Sequence, residues 1–312
     1  MDKCVGILGG GQLGRMLTEA ANRLNIKVVT LDTEGAPAKQ VNANPDHVVG
    51  SFRDQEAIRR LAQKCDVLTV EIEHVNTDVL EDLSEGSETK EDWRLIRSTR
   101  IEVQPSWRTI RVIQDKYKQK KHLTQNGIAT AKSISLKSGT PKELKEIARE
   151  LGYPLMLKSR TDAYDGRGNF PVTSAKDVPS ALSALSDRPL YAEQWADFRL
   201  ELAVMVVKVQ DEAAKDAWKK ATLAYPVVET VHEDSICKLV FSPARNVPKD
   251  VVQKAQDLAR GAVAGFWGKG VFGVEMFLLN TGMQLTISHL SANAYFIGEL
   301  LINEIAPRPH NS

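Results

Sequence analysis

The first 32 residues constrain the fold more than any other stretch of this chain. An apolar run at 4–8 (CVGIL) leads into Gly9-Gly10-Gly11-Gln12-Leu13-Gly14. Met16, Leu17, Ala20, Ala21 and Leu24 then recur at three- and four-residue spacing, which predicts an amphipathic helix. A second apolar run at 27–31 ends at Asp32. Strand, glycine turn, helix, strand is the opening of an α/β unit, because consecutive parallel strands need a crossover helix between them. Apolar runs at 47–49 and 67–70, with a helical pattern at 58–62, extend the unit as far as Glu71-Ile72-Glu73-His74. The expected fold class is α/β, with a parallel sheet at the N-terminus.

Gly9, Gly11 and Gly14 satisfy G-x-G-x-x-G between a strand and a helix, and Asp32 stands at about the spacing of a ribose-binding acid. The N–H groups at a helix start attract any anion, not a dinucleotide in particular. Three uses stay open at this point: an NAD-dependent oxidoreductase, a loop for another phosphate or substrate with Gln12 at its tip, and a tight turn with no ligand.

Composition narrows the class. Hydrophobic residues make up 42% of the 312 and charged residues 26%, enough apolar content to exclude a disordered chain. Lys+Arg 41 against Asp+Glu 40 leaves +1, which argues against nucleic acid as the main partner. No apolar run approaches a membrane span, and the N-terminus lacks the form of a signal peptide. Cys4, Cys65 and Cys237 show no metal-ligand spacing, so zinc and a disulfide framework are not expected. The expectation is a cytoplasmic enzyme acting on small molecules, with no membrane partner. No internal repeat stands out.

Further along, residues 84–103 are charge-rich and read as a loop or insertion. Helices are expected at 108–126, closed by Gly127, at 141–151, closed by Gly152, and at 178–185 and 249–267. Strands are expected at 155–158, 190–195, 199–209, 221–228, 238–242, 271–279 and 300–305. The stretch 162–169 (DAYDGRGN) is too polar and glycine-rich for a regular element.

These later segments hold the parts that a nucleoside triphosphate needs. Lys158, at a strand end, neutralises phosphate. The glycine-rich loop closes over it, and the extended backbone at 193–196 reads a base edge. A nucleotide also needs a carboxylate for its ribose hydroxyls and paired carboxylates for Mg²⁺, and Glu201, Glu275 and Glu304 are the acids these segments offer. Glu275 lies between Val274 and Met276, where an unpaired carboxylate is costly and a cation partner is the economical account. Taken singly, each residue has an ordinary reading: a solvated lysine, a turn cap at Glu193, a strand-face acid at Glu201, surface histidines at 74, 232 and 310, loop packing by Tyr164, apolar packing by Trp195. No G-x-x-x-x-G-K-[ST] and no protein-kinase motif is present.

Seven stretches, in order along nearly the whole chain, carry a resemblance: GILGGGQLGRML, LTVEIEHV, PSWRTIRVIQDKYKQK, DAYDGRGNF, YAEQW, GVEMF and NEIAPRPHNS. The chain resembles the ATP-grasp enzymes of the N5-carboxyaminoimidazole ribonucleotide synthetase type, in the form of the N-terminal module of two-module fungal enzymes. The resemblance implies a pre-ATP-grasp α/β domain at 1–112, a small ATP-grasp lobe at 113–190 and a central lobe at 191–312. It implies an ATP-grasp carbon–nitrogen ligase that uses MgATP to activate bicarbonate as carboxyphosphate and then carboxylates the amine of aminoimidazole ribonucleotide.

By the same resemblance, Lys116 and Lys158 contact phosphates. Ala163, Tyr164, Asp165, Gly166, Arg167, Gly168 and Asn169 form the closing loop. Glu193, Gln194, Trp195 and Ala196 bind adenine, Glu201 binds ribose, and His232 and Asn303 are further ATP contacts. Glu275 and Glu304 are the metal ligands. Gly11, Gln12, Leu13, Glu73 and His74 bind substrate, and Arg308, His310 and Asn311 are catalytic. A homodimer and a fused C-terminal mutase-type module are expected partners.

Two stretches depart from the family pattern. One is roughly 86–100. The other, 280–298, separates the strand of Glu275 from that of Glu304, two strands expected to pair as a hairpin. Treated as a solvent-facing insertion, the second would leave Leu285, Ile287, Leu290, Tyr295, Phe296 and Ile297 partly exposed. The family continues past PRPHNS with a lysine and an arginine for the substrate phosphate, so this chain is expected to bind ATP but handle the ribonucleotide poorly.

Overall fold

The computed structural model describes residues 3–42, 44–86, 100–162, 168–210, 212, 218–233, 236–281 and 284–291. The N-terminal unit alternates strand and helix: β1 (Cys4–Leu8), α1 (Gln12–Arg23), β2 (Lys27–Asp32), α2 (Pro37–Gln40), β3 (Val48–Val49), α3 (Gln55–Ala62), β4 (Val67–Val70), α4 (Thr77–Glu85) and β5 (Glu102–Val103). Its five strands run parallel in the order β3-β2-β1-β4-β5, with the apolar faces of α3 and α4 on the core. β1, β2 and β4 end on the same edge of the sheet, which places the glycine turn beside residues 71–74.

Two helices lead out of this unit. Residues 108–126 read as one helix, yet the chain forms α5 (Trp107–Ile113) and α6 (Lys116–Gln125). The break has a local cause. Asp115 caps α6 by accepting from the N–H groups of Tyr117 and Lys118, and the same carboxylate accepts from Arg160 Nε at 3.1 Å. Gly127, at φ +75°, closes α6 as expected.

A four-stranded antiparallel sheet follows, built from β6 (Ser133–Ser135), α7 (Pro141–Leu151), β7 (Leu155–Ser159), β8 (Asn169–Val172), α8 (Val178–Ala184) and β9 (Leu190–Gln194). Its order is β6-β9-β7-β8, and α7 and α8 cover one face. The last sheet is also antiparallel: β10 (Phe198–Lys208), α9 (Trp218–Ala221), β11 (Thr222–Ala224), β12 (Val228–Glu233), β13 (Ile236–Phe241), α10 (Lys249–Ala264), β14 (Gly270–Leu279) and β15 (Leu285–Ser291). Its order is β13-β12-β10-β14-β15, with β11 beside β10. Leu202, Val204, Val206, Val274, Met276 and Leu278 alternate onto the face that packs against α10.

Several expectations need correction. Residues 221–228 are not one strand, because the chain turns at Tyr225-Pro226 between β11 and β12. Within 84–103, Ile101 and Val103 are buried and β5 pairs with β4, so the C-terminal end of that stretch belongs to the sheet. The largest correction falls on 280–298. Residues 285–291 are not a solvent-facing insertion: they form β15, the hairpin partner of β14, with Ile287 1% and Leu290 0% exposed. Tyr295, Phe296 and Ile297, and the strand expected at 300–305, lie outside the described residues.

Candidate functional site

The glycine turn is occupied by the protein's own acids. Gly10 N–H donates to Asp32 Oδ2 at 2.6 Å, and Gly11 N–H donates to Glu71 Oε2 at 2.7 Å. The N–H groups of Gly14 and Leu13 also act on the buried Glu71; burial pushes this carboxyl up, and those donors offset part of the rise. Any side chain at Gly14 would meet Glu71 Oε2 at 2.7 Å and the Gly9 carbonyl at 2.9 Å. The loop is glycine-rich so that an internal carboxylate can nest in it. The oxidoreductase alternative thereby loses both its anion-binding donors and its ribose acid, since Asp32 is engaged by Gly10 and by Thr33 N–H.

Near this turn stand the other residues assigned to substrate. Gln12 is exposed at the start of α1, and Gly11 and Leu13 are half-buried beside it. Glu73 and His74 follow β4, where Gln114 Nε2, at the α5–α6 break, donates to the carbonyls of Glu73 (2.6 Å) and Val75 (2.7 Å). His74 Nδ1 lies 3.7 Å from Asp162 Oδ1, and Arg53 Nη2 donates to the same oxygen at 3.0 Å. Asp162, at φ +54°, is the last described residue before the polar glycine stretch.

A second cluster lies where the two antiparallel sheets meet α6. Glu193 on β9 is 3% exposed and binds two ammonium groups, Lys120 Nζ at 3.0 Å and Lys158 Nζ at 3.3 Å. Burial opposes ionisation of Glu193, but Lys158 and Lys120 together hold its carboxyl below the usual range. Lys120 is 3% exposed, and burial lowers its ammonium although Glu193 resists. Lys116 stands one helical turn before Lys120. Burial lowers it, the charge of Lys158 lowers it further, and Glu73, Glu275 and Glu193 act against both. Glu73 and Glu275 acting on one ammonium bring the substrate side and the cluster within electrostatic reach of each other.

The third sheet contributes the acids. Its register sets Ala203 opposite Glu275, Phe277 opposite Glu201 and Thr230 opposite Glu201, so Glu201 and Glu275 share the face turned away from α10. His232 Nδ1 lies 2.6 Å from Glu201 Oε2. Burial is the main influence on Glu275 and raises its carboxyl; Glu201 adds to the rise, while His232, Lys116 and Lys158 oppose it. A carboxylate so disfavoured gains most from a cation nearby, so Glu275 fits a divalent metal. Among the described residues no group of three or more His, Cys, Asp or Glu is arranged to hold a metal alone.

The structure therefore brings together Lys116, Lys158, Glu193, Glu201, His232 and Glu275, all named from the sequence. The Glu193 side chain faces lysines. Gln194 N–H donates to the Lys132 carbonyl, while Gln194 and Trp195 lie exposed and Ala196 half-buried beyond the sheet. Gly168, at φ +92°, accepts from Ser159 N–H, and Asn169 pairs with Lys158 across β7 and β8. Residues 163–167, Asn303, Glu304, Arg308, His310 and Asn311 lie outside the described residues.

Sequence reasoning missed Lys120, Glu71 and His289. Lys120 was within reach, since an i,i+4 spacing from Lys116 sets both on one helix face. Glu71 had no signal beyond lying one residue past a strand. His289 fell in the stretch read as an insertion, yet β15 sets it directly opposite Glu275.

Comparison with known proteins gives the family. Residues 1–114 match the family model "Ribonucleotide synthetase preATP-grasp domain", and residues 121–312 match "ATP-grasp domain". The chain is 50% identical over 310 residues to phosphoribosylaminoimidazole carboxylase of Saccharomyces cerevisiae, covering 99% of this chain and 48% of that one. It thus spans about half the length of the curated relatives it matches first. It is 32% identical to N5-carboxyaminoimidazole ribonucleotide synthase of Bacillus subtilis, covering 99% of this chain and 70% of that one. The structure of N5-carboxyaminoimidazole synthase from Aspergillus clavatus in complex with ADP and 5-aminoimidazole ribonucleotide superposes with a TM-score of 0.85 at 51% identity, covering 96% of this chain and 72% of that one. With an internal carboxylate in the glycine turn, a lysine–carboxylate cluster between two antiparallel sheets, and these matches over its whole length, the chain belongs to the ATP-grasp enzymes of the N5-carboxyaminoimidazole ribonucleotide synthase family.

Proposed function

We propose that this chain carries the ATP-dependent carboxylation of 5-aminoimidazole ribonucleotide with bicarbonate, a step of purine biosynthesis. The supporting observation is the convergence of Lys116 and Lys158 with Glu201, His232 and Glu275 between the antiparallel sheets. That pattern suits a triphosphate: ammonium groups for its phosphates, an oriented carboxylate for ribose, and a second carboxylate facing a cation.

In this account a bicarbonate oxygen attacks the γ-phosphorus, the bond to the β-phosphate oxygen breaks, and ADP leaves carboxyphosphate behind. The exocyclic amine then attacks the carboxyl carbon, inorganic phosphate departs, and the amine proton passes to solvent. No side chain needs to be a covalent nucleophile, and positioning and charge neutralisation supply the rate. Lys116 and Lys158 hold the phosphates, with residues 163–169 closing over them. Glu193, fixed by Lys120, sets Lys158 in place. Residues 193–196 read adenine through backbone groups, Glu201 oriented by His232 takes ribose, and Asn303 is a further contact. Gly11, Gln12, Leu13, Glu73 and His74 receive the ribonucleotide, and Arg308, His310 and Asn311 act on the carboxyphosphate.

Mg²⁺ would neutralise charge on the phosphates, held by Glu275 and one further donor, for which the sequence offers Glu304. The same reading divides the chain at 1–112, 113–190 and 191–312, and assigns it to the cytoplasm, as a homodimer with a C-terminal mutase-type module in the longer protein. No helix among the described residues is long and apolar enough to cross a membrane.

The test is ADP release measured with bicarbonate and 5-aminoimidazole ribonucleotide, on this chain and on one extended past Ser312. Stimulation that needs both compounds is the expected result, and it should be the stronger in the extended chain. ADP release indifferent to both would overturn the proposal.

A further inference from the structure

Three residues span the break between α5 and α6. Gln114 is the C-cap of α5, Asp115 is the N-cap of α6, and Lys116 is its first residue. The side-chain amide of Gln114 carries two hydrogens on one nitrogen, and it directs one to each of two carbonyls, those of Glu73 (2.6 Å) and Val75 (2.7 Å). The Glu73 carbonyl also accepts from Val75 N–H at 2.8 Å, which closes a three-residue turn centred on His74. That turn has one hydrogen bond of its own, and Gln114 adds two from outside. Val75, buried in the N-terminal core, anchors its far end. Gln114 therefore holds by its backbone the turn that carries Glu73 and His74.

The next two residues bind on the other side. The Asp115 carboxylate accepts from Arg160 Nε at 3.1 Å, and Lys116 N–H donates to the Arg160 carbonyl at 2.8 Å. Arg160 directly follows β7, the strand of Lys158. The start of α6, with Lys116, is thus fixed to the small antiparallel sheet by contacts in which Gln114 has no share. Gln114 ties the Glu73–Val75 turn to that arrangement. The charge of Glu73 acts on the Lys116 ammonium, so the turn and the phosphate side lie close enough for their spacing to matter.

Nothing in the sequence marks this residue. Gln114 lies inside the stretch PSWRTIRVIQDKYKQK, but an uncharged amide at a helix end is ordinarily solvated. Its partners stand about forty residues earlier in the chain, and only the folded arrangement brings them to it.

Under the function proposed above, carboxyphosphate forms beside the lysines and is consumed by an amine held at the Glu73–His74 turn. When the amine is out of line, the C–O bond of carboxyphosphate breaks unaided, releasing carbon dioxide and inorganic phosphate, and ATP is cleaved without carboxylation. A misplacement of about 1 Å is enough to lose near-attack geometry. Resting on that reading, we infer that Gln114 is a positioning residue for the carboxyl transfer. It sets the spacing between the Glu73–His74 turn and Lys116, and so keeps ATP cleavage coupled to carboxylation.

The experiment uses the chain extended past Ser312 and follows ADP release together with labelled bicarbonate fixed into the ribonucleotide. Gln114→Met keeps the length of the side chain and removes both donors. Gln114→Glu keeps its shape and sets carboxylate oxygens against the two carbonyls. Each should raise the KM for 5-aminoimidazole ribonucleotide about tenfold, the worth of two neutral hydrogen bonds. The KM for ATP should stay unchanged, because Asp115 and Arg160 hold Lys116 without Gln114. ADP released per bicarbonate fixed should rise above unity, to about two or more. A general loosening of the fold would instead raise both KM values together and leave that ratio at unity, and this result would overturn the inference. Denaturant unfolding checks that each variant is folded, and Gln114→Glu carries the test should Gln114→Met not fold. If ADP release in the unsubstituted chain ignores bicarbonate and ribonucleotide, the functional reading falls and the inference with it. If that chain is stimulated and both variants keep its KM values and its ratio, only the inference falls.

Discussion

The glycine turn and the lysine cluster both present positive potential, but the turn's donors are taken up by the protein's own acids, whereas the cluster is the site we propose for the triphosphate. At the turn, the N–H groups of Gly10 and Gly11 are donated to Asp32 and Glu71 of the same chain. At the cluster, one buried carboxylate, Glu193, serves two ammonium groups, and Lys116 stands beside them. The motif that looks like a nucleotide site is neutralised from within. The site with cationic surplus is assembled from α6, β7 and β9, with acids from the neighbouring sheet. An anion-binding motif is thus judged by what already sits in it, and that is a property of the fold.

The comparison is broken most severely at Glu193. Glu193→Ala leaves Lys120 buried without its acid, and removing one member of a buried pair costs roughly 3–5 kcal/mol. Denaturant unfolding should show that loss, and a change within about 1 kcal/mol would mean that the Thr130 hydroxyl, to which Lys120 Nζ also donates at 2.8 Å, suffices for the buried ammonium. At the glycine turn, Gly14→Ala drives a methyl against Glu71 and the Gly9 carbonyl. The expected cost is about 1–3 kcal/mol, read in the same way, and no cost would show that the turn can open.

A smaller effect sharpens the contrast between buried and exposed acids. Glu143, at the start of α7, accepts from the N–H groups of Lys137, Ser138 and Gly139. Slight burial works against it, but these donors and the Ser138 hydroxyl hold its carboxyl down to about 2. Its folded value lies below its unfolded one, so its contribution is present above about pH 4.5 and is lost as pH falls towards 2. Because the group lies at the surface, half-buried, that contribution is no more than about 1 kcal/mol. Glu143→Gln should lower stability at neutral pH by up to about 1 kcal/mol and flatten the acid limb of stability against pH. An acid limb identical to that of the unsubstituted chain would show that the loop donors do not discriminate charge.

Much of the fold was legible, and the failures have physical causes. The parallel N-terminal unit followed from apolar periodicity and the glycine turn. Its helix boundaries were lost where tertiary contacts decide them, as at Asp115, whose carboxylate caps α6 while holding Arg160. Glu275 was legible because a carboxylate between Val274 and Met276 calls for a partner, whereas Lys158, Glu201 and His232 each have an ordinary reading on their own and took their roles from the family resemblance. His289 was not legible, because a strand judged by family spacing had been assigned to 300–305, and only pairing with β14 shows that 285–291 forms one. Glu71 was not legible because nothing local tells a carboxylate to turn back into a loop sixty residues earlier.

The central claim is that ATP binds at the lysine cluster and not at the glycine turn. Calorimetric titration of ATP with the unsubstituted chain, Lys158→Ala and Gln12→Ala tests it most directly. Losing a phosphate-contacting ammonium should weaken ATP by at least about tenfold, while Gln12→Ala should leave ATP affinity unchanged. Undiminished affinity in Lys158→Ala, with loss in Gln12→Ala, would place the nucleotide at the glycine turn and contradict the account.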